Sequence, residues 1–306
     1  VNARSVNSSY QSAPPTPLEY FASLIAEDDN IPLLEAAATI AQDEYPSLDV
    51  QGVLNDVDVL CQRLRRRLPA DLAPLQRLRA LHHFFFEELG FAGNVNDYYD
   101  PTNSFLDCVL FSRRGIPITL AVIFMEIAHE IGLVALGLSF PGHFLVKVRL
   151  PGGDVIIDPF SGQSLGREQL LARATAMEAG LSAPEGESGL LRQLLQAAAS
   201  RDILVRMLRN LKHIYLGASD WRRALAVQHR LVLLLPTSAQ ERHDRGLAHA
   251  HLGDLDAARK DWEYYLRETS GIQDAQRIQS GVAALFASAN LDGRATPRQK
   301  AEGDEP

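Results

Sequence analysis

His143 and Asp158 are the residues whose types and spacing could do chemistry together. His143-Phe144-Leu145-Val146-Lys147-Val148-Arg149-Leu150 reads as a strand, with Phe144, Val146, Val148 and Leu150 on one face and His143, Lys147 and Arg149 on the other. Pro151-Gly152-Gly153-Asp154 is a turn, and Val155-Ile156-Ile157-Asp158 is the returning strand. If Val148 pairs with Val155, Asp158 falls opposite Leu145, on the face of His143 and within diagonal reach of its ring. A carboxylate placed there orients an imidazole and stabilises its cation, as a nucleophile's base requires. The same spacing also suits two structural residues, His143 capping one strand and Asp158-Pro159 ending the other.

Glu126 and His129 have the Glu-x-x-His spacing of metal sites in four-helix bundles, but the motif occurs once and without the further glutamates. It reads as the polar edge of a buried helix, and neither metal nor cofactor is implied. Cys61 and Cys108 are too few for a disulfide framework and no Cys/His cluster has zinc-ligand spacing, which suits a reducing compartment.

These residues need elements to hold them. Pro117 at a first helical position and Gly132 just past the end bound a helix of about fifteen residues, apolar nearly all round and therefore buried. Leu18 to Phe91 carries about four helices, one with Leu54, Val57, Leu60, Leu64 and Leu68 on its apolar side, so that Arg63 to Arg67 falls on its polar face. Gly180 to Gly189 is a glycine-, serine- and proline-rich break, placing a linker at 181–189 between a front domain at 18–180 and a helical domain at 190–290. Residues 1–17 and 291–306 hold too little apolar surface to offset ordering and are expected to be disordered.

A net charge of −8 gives no electrostatic reason to expect nucleic acid. The longest apolar run, Ile116 to Met125, is half the roughly 20 residues a spanning helix needs. With no apolar signal core near Val1 to Gln11, a soluble cytoplasmic protein that does not engage membranes is expected.

The order buried helix, strand with His, strand ending in Asp resembles the transglutaminase-like branch of the papain-type fold. More narrowly, Asn96-Asp97-Tyr98-Tyr99-Asp100-Pro101, Asn103-Ser104-Phe105-Leu106, Arg113-Arg114-Gly115-Ile116-Pro117-Ile118-Thr119-Leu120, Pro141-Gly142-His143-Phe144-Leu145-Val146 and Asp158-Pro159-Phe160 resemble SirB-type transglutaminase-like proteins. The resemblance implies that His143 and Asp158 stand at the family's histidine and aspartate positions, with Asn103 and Arg114 as candidate binding residues nearby. It puts the nucleophile at the start of the buried helix, where the dipole and a neighbouring His lower a thiol's pKa. No residue from Gly115 to Thr119 is a thiol. Cys108, in a short helix that Ser104-Phe105-Leu106-Asp107 would open as a capping box, is a candidate displaced nucleophile set against a buried structural cysteine. Thr119 reads as a hydroxyl satisfied by backbone rather than a nucleophile.

The back domain repeats at 34 residues: Leu208, Leu211, Tyr215, Ala224 and Pro236 map onto Arg242, Arg245, His249, Ala258 and Ser270. That period, with Tyr215, Ala224, Ala258, Trp262 and Pro236, resembles tetratricopeptide repeats. Two units cannot bury a continuous core, so helices near Leu190 to Ala199 and Ile272 to Ala287, or the front domain, must cap them. Between Ser200 and Leu235 stand seven basic residues against two acidic ones, and Arg206, Arg209 and Lys212 are candidate contacts for an acidic protein or peptide segment.

The expected fold class is therefore α+β, a transglutaminase-like domain with a helical N-terminal part followed by an all-α tetratricopeptide-like domain. The expected function is a non-catalytic protein- or peptide-binding scaffold lacking its nucleophilic cysteine. The alternative is an active hydrolase or acyl-transfer enzyme using His143 and Asp158 with Cys108 or a water.

Overall fold

The computed structural model describes residues 14–177 and 186–269, with side chains described outside 176–188. The chain forms two compact units that divide between Asn210 and Leu211.

The first unit opens with α1 (Pro17–Leu24), α2 (Leu33–Ala38), α3 (Val50–Arg65) and α4 (Pro74–His82), matching the four helices expected from the apolar spacing. Residues 1–13 of the expected N-terminal tail lie outside the described residues, whereas Pro17 already begins a helix. Thr16 caps it reciprocally: its hydroxyl accepts from the Glu19 N–H at 3.3 Å and its own N–H donates to Glu19 Oε2 at 2.8 Å. Beyond α4 the chain continues as a π-helical turn, His83–Glu88, that faces Phe84 and Phe85 inward.

At the centre lies α6 (Pro117–Glu130), buried from Pro117 to Ala128 apart from Glu126. It ends where Gly132 takes φ +76°, with Gly132 N–H donating to His129 O at 2.9 Å and Leu133 N–H to Ala128 O at 2.9 Å, a Schellman closure. Ahead of it, β1 (Ala92–Gly93) and β2 (Arg114–Gly115) form a short parallel pair that flanks α5 (Leu106–Ser112) in sequence. The capping box expected at Ser104 does not form. Ser104 instead ends a 3-10 turn begun by Asp100, Phe105 stands at the N-cap of α5 without a side-chain bond, and the buried Ser104 hydroxyl has no acceptor or donor among the described residues.

The remaining strands, β3 (Val134–Leu138), β4 (Leu145–Leu150), β5 (Gly153–Ile157) and β6 (Ser164–Leu165), form one antiparallel sheet in that order. Val148 lies opposite Val155, the register read from the turn. β4 starts at Leu145, two residues later than the alternation suggested, because Pro141-Gly142 turns the chain and His143 N–H closes on Phe140 O at 3.1 Å. The sheet is covered on both faces, with α6 packed on one. On the other, Leu138, Phe140, Leu145 and Ile156 pack with Leu170 and Ala174 of α7 (Arg167–Met177) and Leu191 of α8 (Gly186–Leu194).

Much of the expected linker lies outside the described residues. The helical domain does not begin at 190, however. Leu190, Leu191, Leu194 and Leu195 cover the sheet, and Lys147 Nζ donates to Leu195 O at 2.7 Å, so this segment folds with the first unit as far as Asn210 within α9 (Ser200–Gly217). The apolar sheet face demands that cover.

The second unit holds α10 (Trp221–Leu234), α11 (Ala239–His251) and α12 (Leu255–Glu268) after the end of α9. The repeat is visible in its caps. Asp220 accepts from Arg223 N–H at 3.1 Å to open α10, and Asp254, 34 positions on, accepts from Ala257 N–H at 3.2 Å to open α12. Ala224 and Ala258 are both fully buried. Gly246 lets α11 approach α12, since a Cβ there would lie 2.7 Å from Trp262 Nε1. The expected flanking helix at 272–287 and tail at 291–306 lie outside the described residues.

Gly246→Val should lower the stability of the second unit by about 1–3 kcal/mol through overpacking against Trp262. Both tryptophans, Trp221 and Trp262, belong to this unit, so urea unfolding followed by tryptophan fluorescence reads it directly, as a lower midpoint at unchanged slope.

Candidate functional site

The end of β5 delivers Asp158 to the turn that carries His143. His143 Nε2 and Asp158 Oδ1 are 2.7 Å apart, so the imidazole N–H donates to the carboxylate. Oδ1 also accepts from Phe160 N–H at 2.9 Å, while Oδ2 accepts from the Ser161 hydroxyl at 2.9 Å and Arg173 Nη1 at 3.1 Å. Burial alone would raise the Asp158 pKa. The hydrogen bond and charge of His143, with the Phe160 N–H and Ser161 hydroxyl, overcome it and hold the carboxyl well below the usual carboxylate range.

That bond selects the tautomer of the ring. With Nε2–H committed to Asp158, the neutral imidazole presents its lone pair at Nδ1, and among the described residues no protein group bonds Nδ1. The ring keeps 22% of its side-chain surface exposed, against 3% for Asp158. Phe160 stands edge-on to it, with centroids 6.2 Å apart, and seats on Gly93, where a Cβ would lie 2.3 Å from the Phe160 ring. Gly93 N–H donates to Phe160 O at 2.8 Å, and His82 Nε2 donates to Gly162 O at 2.6 Å, tying the loop after Asp158 to β1 and to the end of α4.

Arg206 secures the other side of the dyad. Its Nη2 donates to His143 O at 2.7 Å, and its Nη1 donates to Phe140 O at 3.0 Å and Ser139 Oγ at 2.8 Å. It was expected among the basic residues of a repeat groove, but it folds with the first unit and pins the His143 turn. Arg173, Ser161 and Arg206 complete the dyad's surroundings. Only the loop after Asp158 had a local signal, because an aspartate and the N–H two residues on, here Phe160, form an Asx-type turn that also brings Ser161 close. Arg173 and Arg206 arrive from helices distant in sequence.

The start of α6 supplies no thiol. Ile116 is its N-cap, and Thr119 is fully buried with a hydroxyl that has no hydrogen-bond partner among the described residues, contrary to the backbone-satisfied hydroxyl expected. Cys108 lies half-buried on α5 with its Sγ 3.6 Å from Asp107 Oδ2, and it shares none of its recorded bonding partners with His143. Burial, and then the Asp107 carboxylate, push its thiol up to about 11, away from an activated nucleophile.

The other candidate residues serve the fold. Asn103 is buried: its Nδ2 donates to Asp97 O at 2.6 Å and Tyr98 O at 3.3 Å, and its Oδ1 accepts from Asn94 Nδ2 at 3.0 Å, so its amide is consumed in shaping the 94–98 loop. Arg114 donates to Gly90 O at 2.6 Å and Arg113 O at 3.0 Å. In the second unit Lys212 is buried against Glu241, at 2.7 Å, and Asp244, so its charge is neutralised internally instead of offered to a ligand. Arg223 pairs with Asp220 at 2.9 Å and Arg201, in the first unit, with Asp28. Arg209 is exposed on α9. His129 donates to Ala135 O at 2.8 Å, and among the described residues no group of three or more His, Cys, Asp or Glu side chains could hold a metal ion. No described helix is long and apolar enough to cross a membrane.

Two outcomes follow from the Asp158 environment. Asp158→Ala, which strips charge-assisted bonds from a buried cluster, should cost at least about 2 kcal/mol in urea unfolding. Because the folded-state pKa lies below the unfolded one, the carboxylate's stabilisation is complete above about pH 4 and is lost as pH falls through the folded value. His143→Ala should therefore bring the Asp158 carboxyl closer to its ordinary range and move the acid-unfolding midpoint, followed by circular dichroism, to higher pH.

Comparison with known proteins places this geometry in a family. Residues 51–209 match the transglutaminase-like superfamily and residues 211–283 match the tetratricopeptide repeat. A relative named UPF0162 protein in Xylella fastidiosa (strain Temecula1) is 39% identical over 85% of this chain and 92% of its own length. The protein SirB1 of Salmonella typhimurium is 24% identical over 85% of this chain and 94% of its own. A crystal structure of menin covers 92% of this chain and 78% of its own at 11% identity and a TM-score of 0.37, too loose a likeness to bear on function. The chain belongs to the transglutaminase-like superfamily as a SirB-type member with a C-terminal tetratricopeptide region.

Proposed function

We propose that this protein is a non-catalytic scaffold that binds protein or peptide segments. The observation that carries the reading is a fully assembled His143–Asp158 dyad together with a buried helix whose start holds no thiol from Gly115 to Thr119. Cys108 does not supply the missing group, because its thiol is pushed up to about 11 and its hydrogen-bond partners are not those of the dyad. The tetratricopeptide region supports a binding role, since helical repeats stack into extended surfaces for partner segments.

A second reading rests on one observation, the Nδ1 of His143 left without a protein partner while Nε2 is locked to Asp158. A base so oriented could activate a water, and general-base catalysis supplies roughly 10²–10⁴-fold acceleration. The two readings separate in one assay. Purified full chain incubated with amide and ester substrates of glutamine and other residues should release no product above a His143→Ala control. Turnover that this substitution abolishes overturns the scaffold. Iodoacetamide mapping should also find Cys108 labelled near neutral pH no faster than an ordinary thiol, and faster labelling would restore it as a nucleophile.

A further inference from the structure

Where α3 and α5 meet, the first unit exposes apolar side chains beside a cavity. On α5, Leu106, Val109 and Leu110 are buried, and Phe111, one position on, turns outward. Phe111 is 93% exposed, more than any other large apolar side chain among the described residues, and Val59 on the outer side of α3 is 53% exposed. Both line a cavity of about 380 Å³ that lies wholly within the first unit and includes Leu60 and Leu110 in its wall. The volume falls in the range of binding pockets, about 300–1,000 Å³. An aromatic knob and an apolar hole therefore sit side by side on one patch.

The rim of that patch carries both signs of charge. Arg63 is already paired with Glu88, at 3.3 Å. Asp56, Asp107 and Arg113 also line the cavity, and among the described residues none of the three has an ion-pair partner. The Asp56 charge favours the Arg113 cation from beyond ion-pair distance. Arg113 closes α5 in the left-handed region, at φ 61°, with its Cζ 4.7 Å from the Phe91 ring centre. Its Nη1 and the Oδ1 of Asp107 are buried without a hydrogen-bond partner among the described residues. A ligand of one charge would match one sign of this rim and oppose the other. A second copy of the same face matches both, because a two-fold axis sets each residue of the patch against a different residue of the same patch.

We propose that this face is the contact of a two-fold homodimer in which Phe111 of each copy seats in the cavity between α3 and α5 of the other. One axis fills both holes at once, so the assembly closes at two copies. The rim of each copy offers its carboxylates to the other's Arg113 and its Arg113 to the other's carboxylates. An aromatic anchor in an apolar pocket with a polar rim is the arrangement that concentrates binding energy at protein interfaces. The surface is separate from the His143–Asp158 dyad, none of whose hydrogen-bond partners lines the cavity, and it does not depend on whether that dyad binds or hydrolyses.

The test is sedimentation velocity of the full chain over about 1–200 μM, which should show a reversible monomer–dimer equilibrium and no larger species. Phe111→Asp should raise the dissociation constant about 30-fold or more, as loss of an anchor residue does. Val59→Arg, at the mouth of the hole, should raise it about tenfold or more. Both positions are exposed, so the circular dichroism spectra should not change and lost association is separated from lost fold. Leu75→Asp, at an exposed leucine lining a different cavity, should leave the equilibrium as it is. A mixture of the Phe111→Asp and Val59→Arg chains keeps one Phe111 for one unaltered cavity and sets the two introduced charges, of opposite sign, against each other. It should therefore dimerise more tightly than either variant alone. A chain that stays monomeric over the whole range, dimerises regardless of both substitutions, regains nothing in the mixture or grows beyond two copies overturns the proposal.

Discussion

A carboxylate at 3% exposure is costly to keep ionised, and Asp158 is kept so by four donors that come from three places in the chain. His143 comes from the turn before β4, Phe160 N–H and Ser161 from the loop after β5, and Arg173 from α7. Each donor has its own support. Arg206 holds the His143 turn, Gly93 seats Phe160, and His82 ties down Gly162. The hairpin, the short parallel pair, the end of α4 and α9 are thereby tied to one buried charge.

That support contrasts with the start of α6, which holds no thiol. In a thiol enzyme of this fold the helix start would lower the nucleophile's pKa, and here it offers Ile116, Pro117 and a sealed Thr119. The ring is oriented, its tautomer is selected and Nδ1 is available, yet among the described residues no protein nucleophile is recorded in contact with it. The dyad thus presents an oriented, partly exposed ring held by a buried carboxylate.

The second unit shows how repeat spacing and charge composition differ as guides. The 34-residue period reappears in paired aspartate caps and paired buried alanines, because caps and close helix contacts depend on local position along each helix. Part of the basic excess of the 200–235 stretch is met by acids within the chain. Lys212 of α9 is largely buried against Glu241 and Asp244 of α11, two helices on, and pairing of that kind is a property of packing rather than of composition.

Local order left its mark in the residues: the buried helix between Pro117 and Gly132, the Val148–Val155 register, the four early helices and the repeat could be read there, since periodicity, turn chemistry and caps act within a few residues. That register brought Asp158 to His143 before any coordinates. Tertiary structure decided the rest. It placed His143 in a turn instead of a strand, joined 190–210 to the sheet because an apolar face needs cover, consumed Asn103 and Arg114 in backbone bonds, and turned Arg206 from a repeat-groove contact into the clamp on His143. Arg173 and Arg206 reach the site from helices far along the chain, and no short-range pattern encodes such contacts, because they depend on how separate elements fill shared space.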